Sequence, residues 1–406
     1  MPIRLLTFTT LFPNSEAPNH GVFVENRLRH LVASGAVEST VLAPVPFFPK
    51  WAAAAGRWGI HARVPRAERR HGLAVYHPRY PVLPKFGMSV APFLLYRAML
   101  PRVRRLIADG VAFDAIDAHY FYPDGIAAVW LAKALNRPVV VTARGTDVNL
   151  IPNYAIPRRL LQRSIPHADG LVAVSEALKR ALVELGAPPS KVKVLRNGVD
   201  TVLFRPTDRK LTRCALGLKR TTLISAGHLI ERKGHDRVIS ALAQLAGADL
   251  LIVGEGPERE RLTALAHQLG VSDRVRFLGA RPHPEMPKLY SAADVLVLAS
   301  TREGWANVLL EAMACGTPVV ASPAWGNPEV VRAPEAGVIA ASNRPGDLAA
   351  AVRDVIANAP PRAATRAYAE RFSWDETTAG QIALFQQVLG HAPSRGIRTP
   401  ALAQSH

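Results

Sequence analysis

Short apolar segments alternate with longer amphipathic segments along most of the chain. In the first half, the apolar segments are residues 3–8, 40–42, 113–118, 139–142, 171–174 and 192–195. In the second half, they are residues 223–226, 250–253, 275–278, 295–298 and 319–321. This alternation is typical of βαβ units, in which helices cover both faces of a parallel sheet. The pattern therefore predicts an α/β chain with two Rossmann-like domains in tandem.

The junction between the two series lies where turn-forming residues interrupt the periodic pattern. Asn197-Gly198 is a turn-forming dipeptide, and Pro206 interrupts the pattern again a few residues later. We therefore expect a first domain over residues 1–204 and a second domain over residues 205–372.

The last part of the chain predicts one further helix and a tail. Ser373 precedes the acidic residue Asp375, as at a helix start, and apolar residues then recur at helical spacing. We expect this helix over residues 373–390. Residues 391–406 contain few large apolar groups, which predicts a disordered tail.

The charge balance favours anionic partners. The chain carries 50 Lys and Arg residues against 32 Asp and Glu residues, a formal charge of +18. Such an excess suits nucleic acid, an acidic membrane surface or phosphorylated substrates. Aromatic residues make up only 7% of the chain and do not interleave a basic groove, so we expect no nucleic-acid partner.

Cysteine content and hydropathy bear on the compartment. The two cysteines, Cys214 and Cys315, are too few for a disulfide framework, which favours a reducing compartment. No stretch of the sequence approaches the roughly 20 apolar residues that span a bilayer. We expect a cytoplasmic protein, either free or peripheral at the inner face of the cell membrane.

More than half of the net charge lies in one segment. Residues 57–105 hold eleven basic residues and one acidic residue, a formal charge of +10. Within this segment, Phe93, Leu95 and Met99 recur near helical spacing, and Pro101 would kink or divide the helix. Two interpretations are open: a surface helix whose apolar edge contacts an anionic membrane, or a core-packed helix with a solvated basic face.

The strongest chemical motif follows the apolar segment 295–298. It reads Glu303-Gly304-Trp305-Ala306-Asn307-Val308-Leu309-Leu310-Glu311. The two acceptor oxygens of a carboxylate match the two vicinal hydroxyls of a ribose. The alternative is that both glutamates are ordinary exposed residues of a helix.

The same motif predicts a helix N-terminus beside the ribose. Asn307 is a residue type that caps helices, and the amides of Asn307, Val308 and Leu309 would then point at an anion. Together with the glutamates, these amides favour a site for a sugar nucleotide.

A second motif follows the apolar segment 223–226. It reads Gly227-His228-Leu229-Ile230-Glu231-Arg232-Lys233-Gly234. Lys233 is a compact cation that suits a diphosphate leaving group, and Arg232 could assist it. A solvated basic turn is the alternative.

Other nucleotide and metal motifs are incomplete. The sequence Gly254-Glu255-Gly256 resembles a dinucleotide fingerprint, but Arg259 stands where its third glycine should be. The chain has neither a P-loop nor an Asp-x-Asp pair, and His283-Pro284-Glu285 lacks the paired cysteines of a zinc deaminase. We therefore expect a metal-independent enzyme without a cofactor.

These segments resemble those of retaining family 4 glycosyltransferases with the GT-B fold, and the resemblance extends over nearly the whole chain. It is carried by residues 191–200 with Phe204-Arg205-Pro206, by residues 254–258, and most specifically by the two-glutamate motif. The resemblance implies a cleft between two Rossmann-like domains. It also implies that the C-terminal domain binds the donor, that the N-terminal domain binds the acceptor, and that the final helix crosses back to the first domain.

The resemblance also implies roles for single residues. Glu311 would hold the ribose diol, Glu303 the transferred sugar and Lys233 the diphosphate. His119 matches the histidine that borders the sugar, and Gly21 matches the loop whose backbone approaches the phosphate or the acceptor.

The chain departs from the family pattern at several positions. His228 stands where the family often has Arg, so Arg232 would substitute for it or His228 would act when protonated. Trp305-Ala306 replaces a frequent Phe-Gly pair. The identity of the sugar therefore cannot be copied from a generic member.

Together, these observations predict a hexosyltransferase that moves a sugar from a nucleotide diphosphate sugar to a hydroxyl group, and the resemblance implies retention of the anomeric configuration. The expected acceptor is lipid-linked or a polysaccharide, as in cell-envelope or exopolysaccharide biosynthesis. Two alternatives remain open: a non-enzymatic binding protein for anionic polysaccharide or nucleic acid, and a sugar-nucleotide epimerase on the same fold.

Overall fold

The two halves of the chain form separate parallel sheets. The computed structural model describes residues 1–49, 59–83 and 87–391, without the side chain of His391. Arg57 and Lys85 of the basic segment, and residues 392–406 of the predicted tail, lie outside the described residues.

The strands of the first half are β1 (Ile3–Phe8), β2 (Val37–Leu42), β3 (Val45–Pro46), β4 (Ala67–Arg70), β5 (Leu73–Tyr76), β6 (Arg79–Tyr80), β7 (Ala115–His119), β8 (Val139–Ala143), β9 (Gly170–Ala173) and β10 (Val192–Val194). Eight of them form one sheet in the order β10-β9-β8-β7-β1-β2-β5-β4, and β3 pairs with β6. The pairing of β4 with β5 is antiparallel, and the other pairings are parallel.

The strands of the second half are β11 (Thr221–Ala226), β12 (Ala248–Val253), β13 (Val275–Gly279), β14 (Val295–Leu298), β15 (Val319–Ala321) and β16 (Gly337–Ile339). They form one parallel sheet in the order β13-β12-β11-β14-β15-β16. Strands β11, β12, β14 and β15 are buried almost throughout, as expected for a parallel sheet covered on both faces.

The α-helices in the described part of the chain are α1 (Val22–Ala33), α2 (Ile60–Arg63), α3 (Gly87–Ala108), α4 (Ile126–Leu135), α5 (Thr146–Asn149), α6 (Ala155–Ser164), α7 (Glu176–Glu184), α8 (Arg209–Ala215), α9 (His235–Leu242), α10 (Arg259–Gln268), α11 (Met286–Ala292), α12 (Asn307–Ala314), α13 (Asn327–Val330), α14 (Pro345–Ala357), α15 (Arg362–Glu370) and α16 (Trp374–His391). In these described ranges, no helix combines the length and the apolarity that a membrane span requires.

The last helix, α16, crosses back to the first half of the chain, as the sequence predicts. The Ser373 hydroxyl accepts a hydrogen bond from the amide of Asp375 at 3.2 Å and so caps its first turn. Buried apolar side chains of α16, among them Phe385, pack in one cluster with those of β1 and α1. The buried Arg27 of α1 donates from Nε to Gln381 Oε1 of α16 at 2.8 Å.

Helix α3 decides between the two interpretations of the basic segment. It continues through Pro101 without division. Leu95 and Met99 are fully buried in the core, and of the predicted apolar edge only Phe93 is exposed, at 54%. Helix α3 is therefore a core-packed helix with a basic outer face.

Candidate active site

Two loops at the carboxyl edge of the second sheet bring Lys233 and Glu303 together. Lys233 lies in a short turn after β11, and Glu303 lies in the loop after β14. Gly234 has a φ of 70°, and a Cβ on it would overlap the Ala299 carbonyl. Glycine therefore allows the first loop to lie directly on the second. Lys233 Nζ donates to Glu303 Oε1 at 2.7 Å.

A second cation completes this charged cluster. Arg232 Nη1 lies 3.6 Å from Glu303 Oε2 and donates to the Arg302 carbonyl at 2.8 Å. Burial opposes ionisation of Glu303, but Lys233 and then Arg232 outweigh it and hold the pKa of Glu303 below its ordinary value. The cluster therefore contains two cations and one ionised carboxylate, a net positive site.

Glu311 lies on α12 and is oriented by two other side chains. Tyr290 on α11 donates its hydroxyl to Glu311 Oε2 at 3.0 Å. His283 Nε2 lies 3.3 Å from Glu311 Oε1. Burial lowers the pKa of His283, but the hydrogen bond and the charge of Glu311 outweigh burial and raise it. Each carboxylate oxygen keeps a further lone pair, so the group can still accept from a diol.

The start of α12 corrects two details of the predicted anion site. The helix begins at Asn307 after Ala306, with no side-chain cap, so Asn307 is its first residue rather than its cap. The amide of Leu309 donates to the Ala306 carbonyl at 3.1 Å and is not available to an anion. Within the described part of the chain, the amides of Asn307 and Val308 have no hydrogen-bond acceptor.

His119 is buried at the end of β7, with 1% of its surface exposed. Its Nε2 lies 3.1 Å from Asp117 Oδ2, and its Nδ1 accepts from Arg144 Nη2 at 2.8 Å. Burial, the largest effect, lowers the pKa of His119 to about 4. The neutral imidazole of His119 is hydrogen-bonded through both nitrogens, and its Nδ1 positions the Arg144 guanidinium.

Arg144 begins a chain of hydrogen bonds that joins the two halves of the protein. Its Nη1 donates to Asn197 Oδ1 at 3.2 Å, and Asn197 Nδ2 donates to Asn307 Oδ1 at 3.2 Å. His119 and Asn307, which the sequence placed in separate motifs, are thus connected. Neither Arg144 nor Asn197 was predicted to be a site residue. The position of Arg144-Gly145 directly after a buried strand was the available signal.

The two halves also meet through backbone at glycines. A Cβ on Gly304 would overlap the Arg144 carbonyl, and a Cβ on Gly145 would lie 3.2 Å from the Gly304 amide nitrogen. Nearby, Glu329 of the second half accepts from the amides of Glu176 and Ala177 at 3.0 and 2.9 Å, at the start of α7 in the first half.

Gly21 and His228 are the remaining predicted residues. Gly21 precedes α1 with a φ of 74°, and a Cβ on it would overlap the Leu11 carbonyl. Only glycine permits this close turn between β1 and α1. His228 is exposed where the chain leaves β11.

Across residues 1–49, 59–83 and 87–391, there is no group of three or more His, Cys, Asp and Glu side chains that could hold a metal ion. The positive charge of the site comes instead from Lys233 and Arg232.

Comparisons with known proteins agree with this architecture. Residues 21–203 match the family described as Glycosyltransferase Family 4, and residues 209–372 match Glycosyl transferases group 1. A curated relative, D-inositol 3-phosphate glycosyltransferase of Mycobacterium tuberculosis, is 32% identical over 305 residues. That match covers 68% of this chain and 62% of the relative's length.

Solved structures share the fold. Sucrose-phosphate synthase from Thermosynechococcus elongatus superposes with a TM-score of 0.78 at 19% identity, over 96% of this chain and 100% of that one. The Anabaena protein Alr3699/HepE, in complex with UDP, superposes with a TM-score of 0.72 at 21% identity, over 95% and 100%.

Two Rossmann-like domains with a cleft between them define the GT-B fold. The two family matches together cover well over half of the chain. The chain belongs to the family 4-like glycosyltransferases of the GT-B fold.

Proposed function

We propose that this enzyme transfers a hexose from a nucleotide diphosphate sugar to a hydroxyl group, with retention of the anomeric configuration. The observation that carries the proposal is the buried Glu303 held by Lys233 at 2.7 Å beside Arg232. A diphosphate leaving group needs a preformed cation, and a sugar needs a fixed carboxylate acceptor. This cluster supplies both groups on neighbouring loops.

The donor would lie along the carboxyl edge of the second sheet. Lys233 would bind the diphosphate, Glu303 the sugar and Glu311 the ribose diol. The amides of Asn307 and Val308 would face the phosphates at the start of an eight-residue helix. Alr3699/HepE has been solved with UDP and with UDP-glucose, which supports a donor of this class.

In the transfer step, the bond between the anomeric carbon and the diphosphate oxygen breaks and a bond to the acceptor oxygen forms on the same face. The acceptor's proton passes to the departing diphosphate oxygen. Lys233, Arg232 and the two α12 amides would stabilise the negative charge that develops there. Glu303 is engaged by both cations, so it acts as a sugar ligand rather than as a covalent nucleophile.

The acceptor would be a hydroxyl of a lipid-linked or polysaccharide substrate, bound by the first domain. Such a role fits cell-envelope or exopolysaccharide biosynthesis at the cytoplasmic face of the membrane. The exposed arginines of α3 support a peripheral position there, because they present cations on one face of the first domain.

The experiment is a screen of UDP-, GDP- and ADP-sugars for release of the free nucleotide, with and without an acceptor. A transferase releases nucleotide and forms a glycoside whose configuration, read by NMR, equals that of the donor. A new sugar nucleotide without released nucleotide would identify an epimerase. Binding of anionic polysaccharide with no release from any donor would favour a binding protein.

A further inference from the structure

The first domain contains a cavity of about 290 Å³ behind the β1–α1 loop. Its walls come from that loop, from the segments after β2 and β5, and from α2. The apolar residues that line it include Leu11, Phe12, Val45, Pro46, Ile60 and Val64. We call it the N-terminal cavity. Strands β1, β2 and β5 are adjacent in the sheet, so the cavity lies at a carboxyl edge, where α/β sheets bind ligands.

The polar groups in the described lining of the N-terminal cavity are hydroxyl, amide and imidazole groups. Among its described lining residues, none is Lys, Arg, Asp or Glu. His77 is fully buried, with Nδ1 3.0 Å from the Ala43 carbonyl and Nε2 2.8 Å from Glu68 Oε1. His20 Nε2 lies 3.0 Å from the Thr10 carbonyl. Arg79 is not among these lining residues, and its guanidinium donates to the carbonyls of two of them, His77 and Val64. The described lining therefore offers a mainly apolar surface to a ligand.

The wall of the cavity reaches Gly21, which the resemblance places beside the phosphate or the acceptor. Leu11 lines the cavity and lies directly against Gly21. Thr10, another lining residue, donates from its amide to the buried Asp124 at 2.6 Å. Asp124 follows Tyr120, whose strained φ of 76° comes one residue after His119.

We propose that the N-terminal cavity binds the apolar part of the acceptor, so that the acceptor is an amphiphilic alcohol rather than a phosphorylated polyol. This inference rests on the proposed glycosyl transfer and selects one acceptor class for it. A volume of about 290 Å³ is at the lower end of ligand pockets, about 300 to 1,000 Å³. It suits one apolar moiety, while the hydroxyl to be glycosylated lies in the cleft.

The experiment compares acceptor probes on the full chain in the presence of UDP. Octyl β-glucoside below its micelle concentration is the apolar probe, methyl β-glucoside its matched control, and inositol 3-phosphate the polyol phosphate. Calorimetry should show that octyl β-glucoside binds at least about tenfold more tightly than methyl β-glucoside, because only its chain fills an apolar space. Inositol 3-phosphate should not displace it.

Variants of the cavity give the second arm. Ala17→Trp fills the cavity and should weaken octyl β-glucoside binding at least about tenfold, with UDP affinity unchanged. Ala215→Trp, at the exposed end of α8, should change neither affinity. Val64→Thr keeps the side-chain volume but adds a hydroxyl to the cavity wall, so it should also weaken binding of octyl β-glucoside. This variant keeps the test valid if Ala17→Trp does not fold.

Equal affinity for the octyl and methyl probes, an undiminished octyl affinity in the folded variants, or displacement by inositol 3-phosphate would each overturn the inference. Any of these results with intact UDP binding leaves the proposed glycosyl transfer standing. Failure to bind any nucleotide and failure to release one from a donor would instead remove the proposed function itself.

Discussion

Lys233 is the residue whose removal should affect the reaction most directly. We expect Lys233→Met to lower turnover by roughly a hundredfold, because the variant loses a preformed stabiliser of the departing diphosphate. Turnover is measured by nucleotide release, and folding by the thermal midpoint. Lys210→Met, which removes an exposed lysine of α8, should retain full turnover. Normal turnover in a folded Lys233→Met protein would exclude the assigned role.

We expect Glu311 to contribute to nucleotide binding rather than to the transfer step. We expect Glu311→Gln to weaken UDP binding by roughly tenfold, because one carboxylate acceptor of the ribose becomes a donor. Calorimetry measures the affinity directly. Glu285→Gln is the matched control, since Glu285 is half exposed and pairs at 3.7 Å with Arg281 on the surface. An unchanged affinity in Glu311→Gln would mean that the carboxylate only anchors Tyr290 and His283.

Site residues that directly follow an apolar strand segment can be predicted from the sequence. Glu303 and Lys233 each follow a strand that the apolar pattern reveals, and parallel strands place such loops at one edge. Arg144 and Asn197 were missed because their roles depend on partners in other strands and in the other domain. Asn307 was predicted to be a helix cap because its true partner, Asn197, is distant in the sequence and is brought to the Asn307 side chain only by the fold.

At the level of elements, strands with a clear apolar run were predicted, including the edge strands β10 and β13. The strands that the pattern did not reveal are β3, β4, β5, β6 and β16. The polar strand β4 forms a hairpin with β5 through His71 and Gly72, both with positive φ. Its sequence, Ala67-Glu68-Arg69-Arg70, has no apolar run to reveal it. Two interpretations of helix α3 remained open, because the sequence of an apolar stripe is the same whether the stripe packs on the core or contacts a membrane.

The loop after β14 should be sensitive to a single methyl group. We expect Gly304→Ala to lower turnover at least about tenfold, because its Cβ would overlap the Arg144 carbonyl and push the domains apart. UDP affinity should change far less, since the donor ligands lie within the second domain. Gly346→Ala in α14, where a Cβ has space, is the control. Wild-type turnover in folded Gly304→Ala would show that this close approach is not needed in the reactive state.

At the scale of the whole molecule, the basic face of α3 predicts binding to anionic membranes. Arg97, Arg102, Arg104 and Arg105 are all exposed. Each cation near an anionic leaflet contributes about 1 kcal/mol, and salt shortens the range of that attraction. We expect binding to anionic vesicles but not to neutral ones, with release at high salt. Cosedimentation measures both.

Charge reversal tests the same surface. Changing those four arginines to Glu should abolish vesicle binding and leave transfer to a soluble acceptor intact. The same change at Lys210, Lys219, Lys288 and Arg344 of the second domain alters the net charge equally and should retain binding. Equal binding to neutral vesicles, or loss of binding in both variants, would leave only a solvated basic surface.

The two chain segments that cross between the domains are fastened to each other. The Val199 amide donates to the Phe372 carbonyl at 2.9 Å, and Gly198 lies directly against the backbone of Ser373 and Trp374. Two adjacent crossings would confine relative motion of the domains mainly to rotation about an axis near them. The Trp305 and Phe372 rings lie 6.0 Å apart beside these crossings. Because displacement grows with distance from an axis, we expect such a rotation to move the loop that carries Glu303 less than the far mouth of the cleft.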